Sequence, residues 1–369
     1  MATPTRRRLG LVAAALLPLL ALSACASDAS DAAPASADDP YRALVITDGP
    51  ENDRSWSNSV FDGISEIDVD NIEVEFAGGL VESADVVQQA SSYASQGYDL
   101  ILIMSGAVTA AATQIAEQFP DTTVCQGPWA ATDEDLAALP DNQCVWNVKQ
   151  QDGTFLAGAL AGMVTQTNKI SSVAGGDFPA VTRQPEGFIL GARCVNPEVQ
   201  IDIQYTGSFS DVGAAQAAAT SQIAAGSDVI LSAVDGAVTG LYGAARDAAR
   251  PTYVIPSYFD NYESAPDVVL TSVLYNLNGI TADIIEKGAA GEIGAHTYLP
   301  YDFANLNVGD LADFHGNVAV TPEIEQRLAE VEDMLRNGDI VVPEDLDDPS
   351  LSEKGTGSAL DPASIGCTF

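Results

Sequence analysis

The side chains with the most distinctive chemistry in this 369-residue chain are its five cysteines, and their spacing splits them into two uses. Cys25 closes the run Leu22-Ser23-Ala24-Cys25, which follows Arg6, Arg7 and Arg8 and the apolar stretch Leu9 to Leu22. A basic start, an apolar centre and small residues before a cut describe an export signal, and a cysteine directly after them completes a lipobox. The Cys25 thiol is then the expected site of diacylation, with 1–24 as leader. Thr5-Arg6-Arg7-Arg8-Leu9 also carries features of a twin-arginine signal, so the export route stays open. The apolar run falls short of the roughly 20 residues that a permanent membrane helix needs. The other four, Cys125, Cys144, Cys194 and Cys367, are an even number in a compartment that permits disulfides. Cys125 ends one apolar run and Cys144 opens another, so a bridge between neighbouring strands is reasonable. Cys194 with Cys367 would pin the tail to the body, although four cysteines allow three pairings.

Other reactive constellations are missing from the sequence. There is no Gly-x-Ser-x-Gly elbow, Walker loop, His-Glu-x-x-His or Cys-x-x-Cys. Only two histidines occur, His296 and His315, which disfavours acid–base and triad chemistry at neutral pH. The expectation is a chain that is not an enzyme and uses no metal and no cofactor. The 15 basic residues include the three of the leader, which holds no acid, so against 52 acids the mature chain carries −40. That charge disfavours nucleic acid and bare anionic membrane surfaces as partners. It reads first as a solvated acidic surface.

The elements that must position any site alternate. Apolar runs at Ala43 to Thr47, Ile72 to Phe76 and Leu100 to Met104 predict strands, separated by helical patterns over Ser55 to Glu66, Glu82 to Gln96 and Ala107 to Gln118. After Gln151 the alternation restarts. Strands are expected at Ile170 to Ala174, Val199 to Tyr205, Asp228 to Ser232 and Thr252 to Ile255. Helices are expected over Thr154 to Thr165, Val181 to Arg193, Val212 to Ala225 and Gly236 to Ala249. Short buried strands alternating with helices argue parallel sheets covered on both faces. The fold class is α/β, two doubly wound parallel-sheet lobes, with ligand expected in the cleft at the strands' carboxyl ends. Residues 25–40, rich in Ala, Ser, Asp and Pro, read as a flexible linker. Lobe 1 is expected to take 41–149 plus 276–296, and lobe 2 to take 150–275 plus 297–320. A helix over Glu323 to Arg336 and an acidic tail fill 321–369.

Several stretches together resemble the basic membrane protein, or purine nucleoside receptor A-like, family of solute-binding lipoproteins. They include Thr47-Asp48, Asp53-Arg54-Ser55-Trp56-Ser57-Asn58-Ser59-Val60-Phe61-Asp62-Gly63, Gln96-Gly97-Tyr98-Asp99 and Asp152-Gly153-Thr154-Phe155-Leu156-Ala157-Gly158. Further on stand Gly187-Phe188-Ile189-Leu190-Gly191, Val195-Asn196-Pro197, Tyr205-Thr206-Gly207-Ser208-Phe209-Ser210-Asp211 and Leu270-Thr271-Ser272-Val273-Leu274. The resemblance runs from about Ala43 to Tyr301. It implies a type I periplasmic-binding-protein fold crossed three times by the chain. It also implies a monomeric lipoprotein on the extracytoplasmic face of the cell membrane, handing nucleosides to ABC permease subunits.

By that resemblance Phe61 and Phe209 occupy the positions that stack on either face of the base. Asp48, Asn52 and Asp53 lie on the first strand-to-helix loop, where a carboxylate can accept from base N–H groups. Asn52 is the closer positional match, and Asp53 equally suits helix capping. Trp56 stands where the family usually has phenylalanine and is expected beneath the loop. The family's ribose-binding aspartate and lysine fall here on Tyr258 and Tyr275, which removes the bidentate carboxylate grip on a cis-diol. Asp260, two residues on, is a possible substitute, and the turn Ala233-Val234-Asp235-Gly236 adds a carboxylate near the cleft. An aromatic, acid-edged cleft suits a free base, a modified nucleoside or a cationic heterocycle as well as a nucleoside. Two other roles fit the same sequence: a ligand-sensing lipoprotein, and a surface lipoprotein with altered specificity and no part in transport.

Overall fold

A computed structural model describes residues 39–343, 352–353, 357–358 and 362–367. The lipobox and Cys25, most of the linker and most of the acidic tail lie outside the described residues.

Two parallel sheets form the body. The first is built from β1 (Tyr41–Ile46), β2 (Ile72–Ala77), β3 (Leu100–Met104), β4 (Thr123–Gly127) and β5 (Gln143–Val148). Four helices connect these strands: α1 (Trp56–Ile64), α2 (Ser83–Ala94), α3 (Thr109–Gln118) and the short α4 (Asp133–Ala137). The chain then crosses through α5 (Gln150–Val164) into the second sheet, β6 (Lys169–Ala174), β7 (Gln200–Tyr205), β8 (Val229–Ala233) and β9 (Tyr253–Ile255). Here α6 (Pro179–Val195), α7 (Val212–Ala225) and α8 (Val238–Arg246) alternate with the strands. A two-stranded parallel ribbon, β10 (Ser257–Tyr258) with β11 (Val273–Leu274), leads back through α9 (Leu277–Ala289) to β12 (Tyr298–Tyr301). Helix α10 (Pro322–Asn337) follows, capped by the Thr321 side chain, with Pro322 in its first turn.

The strand orders are β12-β5-β4-β3-β1-β2 and β7-β6-β8-β9. Tyr298–Tyr301 pairs with β5, Tyr298 opposite Val145 through Tyr301 opposite Val148, and so belongs to the first sheet rather than with the second, where the sequence grouped 297–320.

Alternation along β1 shows why its run is apolar throughout. Ala43 and Val45 face one core cluster, with Trp146 and Phe155, while Leu44 and Ile46 face another under α2 and α3. Both faces of the sheet are covered, so neither set of side chains meets water. Helices α5 and α6 lie in close contact because glycines permit it. A Cβ on Gly158 would collide with the Phe188 carbonyl, and one on Gly191 with the Phe155 carbonyl. Cys125 and Cys144 stand opposite each other in the β4–β5 register and are bonded, and Cys194 of α6 is bonded to Cys367.

Candidate ligand-binding site

The carboxyl ends of both sheets open on one cleft. From the first sheet it is lined by Asp48 after β1, Trp56 at the start of α1, Ser105, Gly106 and Ala107 after β3, and Pro128 after β4. Gln150 at the start of α5 joins them. The second sheet side contributes Phe178, Ala180, Val181 and Gln184 around the start of α6, with Phe209 after β7, Asp235 after β8 and Tyr258 in β10.

Each aromatic is held by an identifiable device. Trp56 donates its Nε1–H to the Met104 carbonyl at 2.8 Å and stacks on Trp146, centroids 6.2 Å apart and planes 24° from parallel. Trp146 in turn donates to the Ile103 carbonyl. Tyr258 meets Trp56 edge-on at 5.9 Å and Tyr275 at 5.7 Å. Phe178 and Phe209 meet at 6.2 Å, lying over Gly175 and Gly176. A methyl on either glycine would run into those rings, which explains the Gly-Gly pair after β6. Tyr258 carries a φ of 86°, in the left-handed region that a bulky residue enters only where its surroundings hold it.

The polar edge of the cleft is acidic. Ser55 Oγ donates to Asp235 Oδ1 at 3.0 Å, a bond from the α1 loop to the end of β8. The Tyr258 hydroxyl also donates to Asp235. Asp235 keeps some surface open to the cleft, yet burial, then the nearby Asp48 charge, pushes its pKa up to about 7. Burial, followed by the Asp53 charge, likewise raises Asp48, whose Oδ2 lies 3.4 Å from Ser105 Oγ. Burial and the Asp235 carboxylate drive Tyr258 far above the usual phenol range, so it remains a donor. Gln150 is 2% exposed, and its Oε1 is enclosed without a hydrogen-bond partner. This geometry offers flat apolar faces beside a row of acceptors.

The family model for PnrA-like ABC transporter substrate-binding proteins (Bmp) matches residues 41–299. The chain belongs to this family. It is 26% identical over 361 residues to the ABC transporter nucleoside-binding protein BmpA of Lactococcus lactis subsp. cremoris, spanning 92% of this chain and 99% of that protein. It is also 26% identical over 328 residues to the CD4+ T-cell-stimulating antigen of Listeria monocytogenes, spanning 84% and 89%. Among solved structures, an ABC transporter solute-binding protein from Aeropyrum pernix K1 matches with a TM-score of 0.69 at 19% identity, covering 84% of this chain and 95% of that one. One from Conexibacter woesei matches with a TM-score of 0.65 at 20% identity, covering 82% and 98%. These likenesses establish the periplasmic-binding-protein-like fold. As a Bmp-family substrate-binding protein the chain serves an ABC transporter, which implies a small-molecule solute and permease subunits as partners. The family is one of extracytoplasmic solute-binding proteins, not of enzymes. Among the described residues no helix is long and apolar enough to cross a membrane, and no metal-ligating cluster occurs.

Set on this structure, the residues that the Bmp resemblance singled out part company. Asp48, Phe209, Asp235 and Tyr258 line the cleft. Phe61 does not: it is 37% exposed and packs edge-on against Phe76 of β2 at 5.1 Å. Helix α1 starts at Trp56 and turns 100° per residue, which puts Phe61 about 140° round from Trp56. Trp56 is therefore the aromatic that α1 presents to the cleft. Asn52 is exposed in the loop. Asp53 binds the helix start, accepting from the Ser55 and Asn58 N–H groups at Oδ1 and the Ser57 N–H at Oδ2. Asp260 is exposed and engages His315 Nε2 at 2.9 Å, away from the cleft. Tyr275 is fully buried behind Tyr258 and donates to Gln184 Oε1 at 3.2 Å. Trp56 as a lining residue, Phe178 and Gln150 escaped the sequence reading. A phenylalanine between Gly-Gly-Asp and a helix-starting proline was the available signal for Phe178.

Proposed function

We propose that this chain is the lipid-anchored receptor of an ABC importer for a nucleoside or a related purine-like heterocycle, held in the cleft by aromatic contact. The anchor is the diacylated Cys25 of the lipobox, which tethers the binding domain outside the cytoplasm through the 25–40 linker. The observation that carries the reading is the convergence of Trp56, Phe178, Phe209 and Tyr258 with Asp48 and Asp235 at the carboxyl ends of both sheets. Aromatic faces hold a planar ring, and acceptors on its edge fix orientation through N–H donors. The name of the Lactococcus lactis relative, a nucleoside-binding protein, points the same way.

A thermal-shift screen of the mature chain against nucleosides, free bases and other heterocycles tests this, since a ligand that binds only the folded state raises the melting temperature. Small-angle scattering then asks whether that ligand compacts the protein. Stabilisation by a planar heterocycle with compaction is the expected result. Stabilisation only by sugars or amino acids would sink it.

A further inference from the structure

The aromatic cleft holds more negative charge than a neutral solute can use. Asp48 follows β1 and Asp235 follows β8, so carboxylates from the two sheets face a common space. The charged groups acting on Asp235 are Asp48 and Asp53, all of one sign. Among the described residues the cleft is lined by no lysine, arginine or histidine. Arg183, just before the lining residue Gln184, is turned to the Asn147 Oδ1 at 2.9 Å. A third acceptor is independent of the acids: Gln150 Oε1, enclosed and unpartnered in the cleft wall.

The phenols do not relieve this. The Tyr258 hydroxyl donates to Asp235 and the Tyr275 hydroxyl to Gln184 Oε1, while the Tyr275 ring fills the space behind Tyr258. Both donors are spent inside the protein, so neither remains for a sugar diol.

We propose that the solute is a flat heteroaromatic monocation with at least two N–H donors and no ribose, its ring among the aromatics and its charge towards Asp48 and Asp235. This rests on the solute-binding reading above and names the class of solute. Two carboxylates in a partly enclosed site repel each other, and a cation between them removes that repulsion while satisfying acceptors that a neutral ring leaves exposed to one another. The face of Trp56 adds attraction for a delocalised positive charge. The Ser55 and Tyr258 hydroxyls occupy part of Asp235, which still has acceptor capacity for a donor of the ligand.

Titration calorimetry on the full mature chain, with three probes of purine-like size, tests this: 4-aminoquinoline as the cation, adenine as the neutral donor-bearing ring, and adenosine as the ribosylated one. The cation is expected to bind about tenfold or more tighter than either neutral probe at about pH 7.5. That preference should shrink at about pH 5.5, where Asp235 is protonated among Asp48, Asp53 and Tyr258. Asp235→Asn and, separately, Asp48→Asn should each lower cation affinity about tenfold more than they lower adenine affinity, and an equal loss for the two probes would overturn the proposal. Having two variants keeps the test alive if one fails to fold. Equal or tighter binding of adenosine or adenine overturns the cation proposal and leaves the solute-binding reading standing. If no probe and no member of the wider screen binds or compacts the protein, both readings fall.

Discussion

The two walls of the cleft are made from the same kinds of residue but are held in different ways. On the first sheet side hydrogen bonds lock the positions: Asp53 grips three backbone N–H groups, Gly49 N–H donates to Ser57 Oγ, and Trp56 is tied to the Met104 carbonyl. On the second side Phe178 and Phe209 rest on Gly175 and Gly176 by contact alone, and Tyr258 keeps a left-handed backbone. The Ser55 to Asp235 bond runs from one wall to the other. The first wall is thus held mainly by hydrogen bonds, and the second mainly by aromatic rings packed on glycines and on each other. Two carboxylates show the same contrast: Asp53 is taken up by the N–H groups of its helix, whereas Asp235, buried near Asp48, keeps acceptor capacity towards the cleft.

Substitutions break this contrast in graded ways. The largest effect is expected at Trp56→Ala, which removes a ring stacked on Trp146 and a buried hydrogen bond from the first wall. A loss of about 3–5 kcal/mol in denaturant unfolding is expected, together with loss of solute binding. Next comes Asp235→Asn, read as a pH profile. Folding raises this carboxyl to about 7, so the folded state keeps its proton where the unfolded chain has released it. The group's contribution is fully present below the unfolded carboxylate range, about pH 4, and is lost as pH rises to about 7, by at most about 4 kcal/mol. Asparagine cannot ionise, so the variant should lose less stability over that window and exceed the parent above it. Asp48 is raised in the same direction and keeps some slope in the variant. Superimposable pH profiles of parent and variant would contradict the burial of Asp235. Gly175→Ala should come third: the new methyl meets the Phe209 ring, costing about 1–3 kcal/mol by overpacking and weakening binding by displacing that ring.

Why some of this was legible in the sequence and some not follows from periodicity. Leu100–Met104 reads as a strand because a short run of five apolar residues, too brief for a helix, suits a sheet covered on both faces, and all five are buried. The juxtaposition of Cys125 with Cys144 follows from two apolar runs becoming successive neighbouring strands. β12 escaped because Tyr-Leu-Pro-Tyr has no aliphatic run, and its proline is tolerated only because the strand is at the edge of the sheet. Within the cleft, Asp48 and Phe209 could be found since they close recognisable strand ends. Phe61 was assigned by its place in the linear motif alone, whereas five residues on from Trp56 it stands about 140° round α1, on the face that packs against Phe76. Phe178 carries only the weak signal of its place between Gly-Gly-Asp and a proline, and Gln150 carries none; their roles arise when α5 and α6 bring their N-termini to the mouth of the cleft.

The two smallest effects sharpen the difference between cap and cleft. Asp53→Ala should cost about 0.5–2 kcal/mol by releasing N–H groups at the start of α1. Because Trp56 is the first residue of that helix, its ring should loosen too, and solute affinity should fall modestly, about threefold. Phe61→Ala is the control on the same helix. Its ring touches Phe76 on the outer face, so about 1 kcal/mol of stability is at stake, and solute affinity should not change beyond error. If Phe61→Ala instead abolished binding while Trp56→Ala spared it, helix α1 would have to be rotated in the liganded protein by about the angle separating the two side chains. The outcome therefore decides which aromatic of α1 the solute meets.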